Sequence, residues 1–240
     1  MGSNPGKYLF SKLNDMIIWG SSPSLIIRML VIWSYTSGGI KQNEYETLIS
    51  GLVSTYGFQE METIQSMMLE NILLVKNFGG TPAISYKQLI KTFKLIDVDY
   101  KDKNPNGKSF PYMAYTPLIP RLFDLLIHGE WVQPSIIKKL PHPFFGHGNP
   151  GFLLNSVKLF DKFRRKINDK NRREITEKLS KVDRPVVAVF VIGGLTYAEI
   201  SCFRNIAQRS GLELIICVTE VINGKKMIDG FRNFSKRRVR

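Results

Sequence analysis

Two apolar runs near the end of the chain limit its possible folds more than any other feature. Pro185 to Ile192 (PVVAVFVI) is continuous and β-branched, and Glu213 to Thr219 (ELIICVT) is a second such run. Runs of this length without polar alternation mark strands buried on both faces. Between them stand Gly193-Gly194 and then Thr196-x-x-Glu199, a capping box that opens a helix to about Gln208, with Gly211 as its stop. Strand, helix and strand in this order predict a parallel pair joined by a right-handed crossover. Two strands alone make a poor sheet. The chain offers few other strand candidates, so this half reads as part of a larger α/β parallel-sheet domain.

The first half reads as helices. Ser22-Pro23 opens one, with Ser as N-cap and Pro at the first helical position. It runs to about Tyr35, is apolar nearly all round, and so implies burial; Gly38-Gly39 ends it. Tyr45, Leu48, Ile49, Leu52, Val53 and Tyr56 give one apolar face on a helix from Gln42 to Tyr56, with Gly57 as stop. A third helix, about 60–71, carries Met61, Ile64, Met67 and Met68. A fourth, about 86–96, carries Leu89, Ile90 and Phe93. Lys101 to Gly107 is a turn-rich loop. Pro117 to Ile127 is a short helix with Leu118, Leu122 and Leu125 inward. Pro141 to Pro150 is irregular, because Pro and Gly punctuate it throughout.

Composition narrows the class. At 240 residues and 43% hydrophobic the chain can bury a core. No apolar run reaches the ~18 residues of a membrane-spanning helix; Arg28 interrupts the nearest, Leu25 to Trp33. The first ten residues show no secretory signal pattern. Cys202 and Cys217 form no disulfide framework and read as reduced core residues of a cytosolic protein. The charge is uneven: residues 1–150 hold 14 basic and 11 acidic residues, and residues 151–240 hold 20 and 9. The excess sits in 158–184, as a charged helix or insertion, and in 225–240 as a basic tail. Such a field attracts phosphates of nucleic acid or of an anionic membrane.

Catalytic and ligand motifs are mostly missing. Asn104 to Ser109 contains a Gly-Lys-Ser, but a phosphate-cradling loop needs Gly at 102, where Asp stands. Gly193-Gly194 lacks the full G-x-G-x-x-G, since Tyr197 and Ala198 occupy the later positions. His142 and His147 have no acidic or Cys neighbour to complete a metal site. His128 follows a helix end, where a partly positive ring suits the dipole. The sequence therefore reads as no enzyme, with no cofactor and no metal. A nucleic-acid-binding alternative rests on charge alone, without a recognisable motif, and specific nucleic-acid binding is not expected.

Three groups of residues carry a resemblance. Gly38-Gly39-Ile40-Lys41-Gln42, followed by Ser54-Thr55-Tyr56-Gly57-Phe58, is one. Tyr112-x-Ala114-Tyr115-x-Pro117-Leu118-x-x-Arg121-Leu122 is the second. Phe190 to Ile200, with Gly193-Gly194, Thr196 and Ala198-Glu199-Ile200, is the third. In this order they resemble stretches of the Sec/Munc (SM) family, most of all its vacuolar branch, over about residues 20–234.

The resemblance implies a mixed fold: an α-helical N-terminal half, 1–110, matching the second half of SM domain 3, followed at 111–235 by the closing half of the α/β domain 2. A basic variable insertion would fall at about 152–184 and a basic tail at 236–240. It also implies a C-terminal portion of a three-domain protein that promotes SNARE-mediated vesicle fusion at endosomes and the vacuole or lysosome, inside the HOPS and CORVET tethering complexes. The implied partner is the C-terminal helical region of vacuolar protein sorting-associated protein 16. Other HOPS and CORVET subunits and SNAREs would be reached through the full-length protein. The basic stretches would add only weak attraction to anionic membrane. The implied docking residues are Lys41, Tyr45, Ile49 and Leu52. Within that helix Leu48, Leu52 and Val53 are expected to face the preceding helix, with Tyr45 and Ile49 nearer the edge. Gly193, Gly194, Thr196 and Glu199 are expected as a structural turn and cap.

Overall fold

The computed structural model describes residues 5–78, 85–98, 113–129 and 184–238. The elements in chain order are α1 (Pro5–Ile18), α2 (Pro23–Ser37), α3 (Gln42–Tyr56), α4 (Gln59–Leu69), α5 (Tyr86–Phe93), α6 (Leu118–Ile127), β1 (Val186–Val191), α7 (Tyr197–Ser210), β2 (Glu213–Val218) and α8 (Gly224–Arg238). The loops around Lys101–Gly107 and Pro141–Pro150, the Gly-Lys-Ser at 107–109, His142, His147 and the basic stretch up to 183 lie outside the described residues.

The chain forms two compact units, 1–88 with 222–240, and 89–221. These limits differ from the 110/111 division drawn on the sequence. The first difference comes from α8: Ile228 and Phe231 pack into the core of the N-terminal helices. The second comes from α5, whose Leu89, Ile90 and Phe93 share a cluster with Leu125 of α6.

The first unit is all helix. Its core is built from Leu13 and Ile17 of α1, Ile26 and Leu30 of α2, Leu48 and Leu52 of α3, and Ile64 and Met67 of α4. Helix α1 was not read from the sequence, although Leu9, Leu13, Met16 and Ile17 place one apolar stripe at helical spacing. Helix α2 is not buried all round as expected: Leu25 and Ile32 lie exposed on its outer side. Ser22 caps it through its backbone carbonyl, which accepts from Leu25 N at 2.9 Å, and not through its hydroxyl. Gly38 closes α2 in the left-handed conformation, φ 71°.

The expected basic tail is largely a helix. Asn223 opens α8 by accepting from Lys226 N at 2.9 Å. Arg232 then ties the unit together: both Glu60 oxygens lie 2.9 Å from its Nη2, and its Nη1 donates to Ser24 Oγ at 2.9 Å and to Asp229 at 3.0 Å. Charge-assisted bidentate bonds that are mostly shielded from water are among the stronger polar contacts. Arg232→Ala is expected to lower the unfolding free energy by roughly 2 kcal/mol, read by urea titration, with Arg232→Lys recovering only part of it.

In the second unit β1 and β2 pair in parallel, Val186 opposite Glu213 through Val191 opposite Val218, as the sequence required. Val187, Val189, Val191, Leu214, Ile216 and Val218 lie over α7, where Phe203, Ile206 and Ala207 are buried with Phe123 and Ile127 of α6. Phe123 and Phe203 meet with ring centroids 5.3 Å apart. Both strands were expected to be buried on both faces. Among the described residues the second face is open, and Phe190 is 68% exposed beside Val186 and Ile215.

Helix α6 begins after Pro117, and its inward set differs from the expected one. Phe123, Leu125 and Ile127 are buried, whereas Leu118 and Leu122 are only half-buried. Arg121 Nε donates to the carbonyl of Phe93 at 2.8 Å and pairs with the buried Asp124, which fixes α6 against the end of α5. His128 sits one turn on, its Nδ1 2.7 Å from the Asp124 carbonyl oxygen.

The two cysteines part company. Cys202 is fully buried in α7, but Cys217 lies on the open face of β2, so it is not the core residue expected. Burial pushes the Cys202 thiol up to about 12, with the charges of Asp124 and Glu199 adding to the shift. A maleimide reagent is expected to modify the native protein once, at Cys217, and to reach Cys202 only after denaturation. The readout is intact mass with peptide mapping.

Candidate partner-docking site

The residues expected to dock a partner divide between surface and core. Gly38-Gly39 turns the chain, and Ile40 then bridges to Val75: Ile40 N donates to Leu74 O at 3.0 Å and Lys76 N to Ile40 O at 2.8 Å. Gly39 is required twice, by its φ of 105° and because a Cβ there would stand 3.1 Å from the Lys76 side chain. The bridge places Lys41 at the N-cap of α3, exposed, with its ammonium 3.9 Å from Glu44. Tyr45 is half-buried, and its hydroxyl donates to Met68 Sδ at 3.0 Å. Burial raises its pKa above the usual tyrosine value.

Ile49 and Leu52 are different. Ile49 is 6% exposed and Leu52 is buried, both inside the core of the helical unit. The edge position expected for Ile49 is not what the structure has. Helices α1 and α4 both lie against α3, with Ile17 of α1 set against Gly51 and Met68 of α4 against Tyr45. Leu48, Leu52 and Val53 are buried or packed on the core, but the helices set against α3 are α1 and α4, and not α2 as expected.

The exposed end of that face borders a groove of about 540 Å³. Gln42, Tyr45 and Glu46 of α3 line one side, Met61, Met68 and Leu69 of α4 the other, and Val75 and Phe78 complete the lining. Gln42 Nε2 donates to Glu46 Oε1 at 2.9 Å, which holds the acid at the rim. Leu69 and Phe78 are exposed beside it. A concave apolar wall rich in Met, with a few fixed polar groups, suits the apolar face of a helix. Sequence reading missed this groove because Met68 and Phe78 come from outside α3.

The Gly-Gly turn is built as expected. Gly193 and Gly194 have φ of 115° and 109°, which a side chain rarely adopts. Gly193 N donates to Thr219 Oγ1 at 3.0 Å, and Leu195 N to Glu220 O at 3.1 Å. Thr196 Oγ1 accepts from Glu199 N at 3.2 Å, while the Glu199 carboxylate accepts from Thr196 N at 2.8 Å and from its hydroxyl at 2.7 Å. The position where a phosphate would meet the helix N-terminus is thus taken by an internal carboxylate. This turn is a structural device. Thr196→Ala is expected to cost about 1 kcal/mol in chemical denaturation, and Thr196→Ser close to nothing.

Among the described residues no group of His, Cys, Asp and Glu could hold a metal, and no helix is long and apolar enough to cross a membrane.

The chain belongs to the Sec1 family, whose model matches residues 5–230. It is 29% identical over 225 residues to the vacuolar protein-sorting-associated protein 33 homolog of Arabidopsis thaliana, covering 92% of this chain and 36% of that one. Vacuolar protein sorting-associated protein 33A of Rattus norvegicus is 27% identical over 207 residues, 85% of this chain and 31% of the relative. Vacuolar protein sorting-associated protein 33 of Schizosaccharomyces pombe is 24% identical over 229 residues, 92% and 36%. The chain spans about a third of the length of these curated relatives.

Proposed function

We propose that this chain acts as the C-terminal portion of an SM-family subunit in vacuolar protein sorting, a protein of vesicle traffic that works by binding and not by catalysis. The family match over residues 5–230, with relatives named for vacuolar protein sorting, carries this reading. In the finer form it belongs to the HOPS and CORVET tethering complexes. There it supports SNARE-mediated docking and fusion from the cytoplasmic side of endosomal and vacuolar or lysosomal membranes. The helical unit, 1–88 with 222–240, corresponds to the second half of SM domain 3, and the unit 89–221 to the closing half of domain 2. The open face of the β1–β2 pair supports this. Its side chains have the composition of a face covered in a larger sheet, so the rest of domain 2 is the natural cover.

The docking partner is the C-terminal helical region of vacuolar protein sorting-associated protein 16, received by the groove beside Lys41 and Tyr45. The groove's Met-rich wall and the exposed Phe78 support that placement. Ile49 and Leu52 act behind it, by fixing α3. Tyr45→Asp and Lys41→Glu are expected to lose co-purification with that region while the melting temperature holds within a few degrees. An aromatic anchor in a desolvated interface is worth ~2 kcal/mol or more, about thirtyfold in affinity. Ile49→Lys is expected to lower the melt by many degrees, because it buries an unpaired ammonium. Retained binding in Tyr45→Asp would remove the groove from the interface.

A further inference from the structure

Between Lys41 and Lys76 the chain holds Glu44, Glu46, Glu60, Glu62 and Glu70, and no lysine, arginine or histidine, although its net charge is +14. This stretch contains α3 and α4, which line the two sides of the groove. At physiological salt an exposed charge is felt over ~8 Å, so a partner entering the groove meets these carboxylates and not the basic excess elsewhere in the chain.

Two of the five acids are already answered. Both Glu60 oxygens are held by Arg232, and Glu44 lies 3.9 Å from Lys41 in the first turn of α3. Glu46 and Glu70 are exposed. Among the described residues Glu46 bonds only to the neutral Gln42 amide, at 2.9 Å, and Glu70 makes no ion pair. Glu46 lines the groove from α3, and Glu70 ends α4 between Leu69 and Asn71, which both line it. The last turn of α4 carries no basic residue, so the partial negative charge of its carbonyl end adds to the two carboxylates. The cations that bound the stretch are not lining residues: Lys41 pairs with Glu44, and Lys76 runs its stem past Gly39.

We propose that the groove is selective for a basic amphipathic helix, whose apolar face enters between Tyr45, Met61 and Met68 and whose flanking Lys or Arg side chains reach Glu46 and Glu70. The proposal rests on the docking reading above and adds the chemistry that the partner must carry. Charge complementarity chooses the occupant. Methionine side chains adapt to the shape of an apolar helix face, and carboxylates beside them favour a helix with cations along that face. Leu69 and Phe78, 70% and 62% exposed, offer apolar surface over which the stem of a Lys or Arg can lie while its head reaches a carboxylate. An anionic partner, drawn to the chain's cations elsewhere, is repelled here. An acid on the partner for Lys41 falls outside the lining, so the two demands do not conflict.

The test follows the kinetics of the full chain binding the C-terminal helical region of vacuolar protein sorting-associated protein 16 at about 0.05, 0.15 and 0.5 M salt. Glu46→Gln with Glu70→Gln is expected to slow association roughly tenfold at the lowest salt, to leave dissociation within about threefold, and to flatten the salt dependence relative to the wild type. Glu46→Lys with Glu70→Lys is expected to weaken binding roughly a hundredfold at about 0.15 M salt. Both positions are exposed, so an unchanged melt is the expected check of the fold. A second measurement uses the wild type alone. Two synthetic helical peptides share one apolar face of Leu and Phe, one flanked by Lys and the other by Glu, and the Lys peptide is expected to displace the partner at least tenfold more effectively. A Lys peptide that competes no better than the Glu peptide overturns the proposal. So does a double Gln variant with the rates and salt dependence of the wild type. If Tyr45→Asp still abolishes binding in either case, the groove remains the docking site and only its selection by charge is lost. If Tyr45→Asp binds like the wild type, the groove is not the site, and both readings fall together.

Discussion

The guanidinium of Arg232 closes on Glu60, 172 positions earlier in the sequence, and the rest of the helical unit depends on that closure. Without it α8 keeps the core contacts of Ile228 and Phe231, and α2 and α4 lose the group that bridges their first turns. The pair is mostly shielded from water, so its bonds are little screened. The same shielding makes either partner alone costly, because a lone charge would be left without water or counter-charge. With α8 held, Leu30, Leu52 and Met67 sit in one continuous core. That core holds α3 and α4 side by side, as the walls of the groove.

The stretches that make the chain recognisable as a Sec1-family member are positions where the backbone has little choice. Gly39 must accept a left-handed φ against Lys76, and Gly193 and Gly194 must do the same before α7. Tyr56 spends its hydroxyl on the α1–α2 turn. Ala114, at φ 75°, begins the segment that pairs with the 95–97 stretch, and Arg121 ties α6 to the end of α5. None of these roles is chemistry on a ligand. A search for nucleophiles or metal ligands therefore finds little, and the word pattern still identifies the family.

Local signals were read well where one element settles its own limits. Helix α3 has the expected bounds, because Gly38-Gly39 and Gly57 enclose a clean 3.6-residue stripe. The parallel pair and the capping box were equally legible. What failed needed a neighbour. Ile49 looked like an edge residue because the core it joins is gathered from α1, α2 and α4 as well as α3. Helix α8 looked like a tail because its cations hid Ile228 and Phe231, although Asn223 marked its start. Cys217 and Phe190 looked buried because their sequence describes a covered face, and the described residues leave it open. The groove could not be seen in any one segment, since it gathers α3, α4 and the 75–78 stretch.

Residues 89–221 lie wholly between the two parts of the helical unit, and this ordering matters while the protein is being made. Four helices leave the ribosome early, but the strand of chain that seals them follows only after the β-α-β unit has been translated. At ~5–20 residues per second the wait between Gln88 and Arg232 is on the order of ten to thirty seconds. During it the faces of α2 and α4 that await α8 are uncapped, and Glu60 has not yet met Arg232. A nascent chain stalled before residue 224 would thus offer a chaperone an apolar seam.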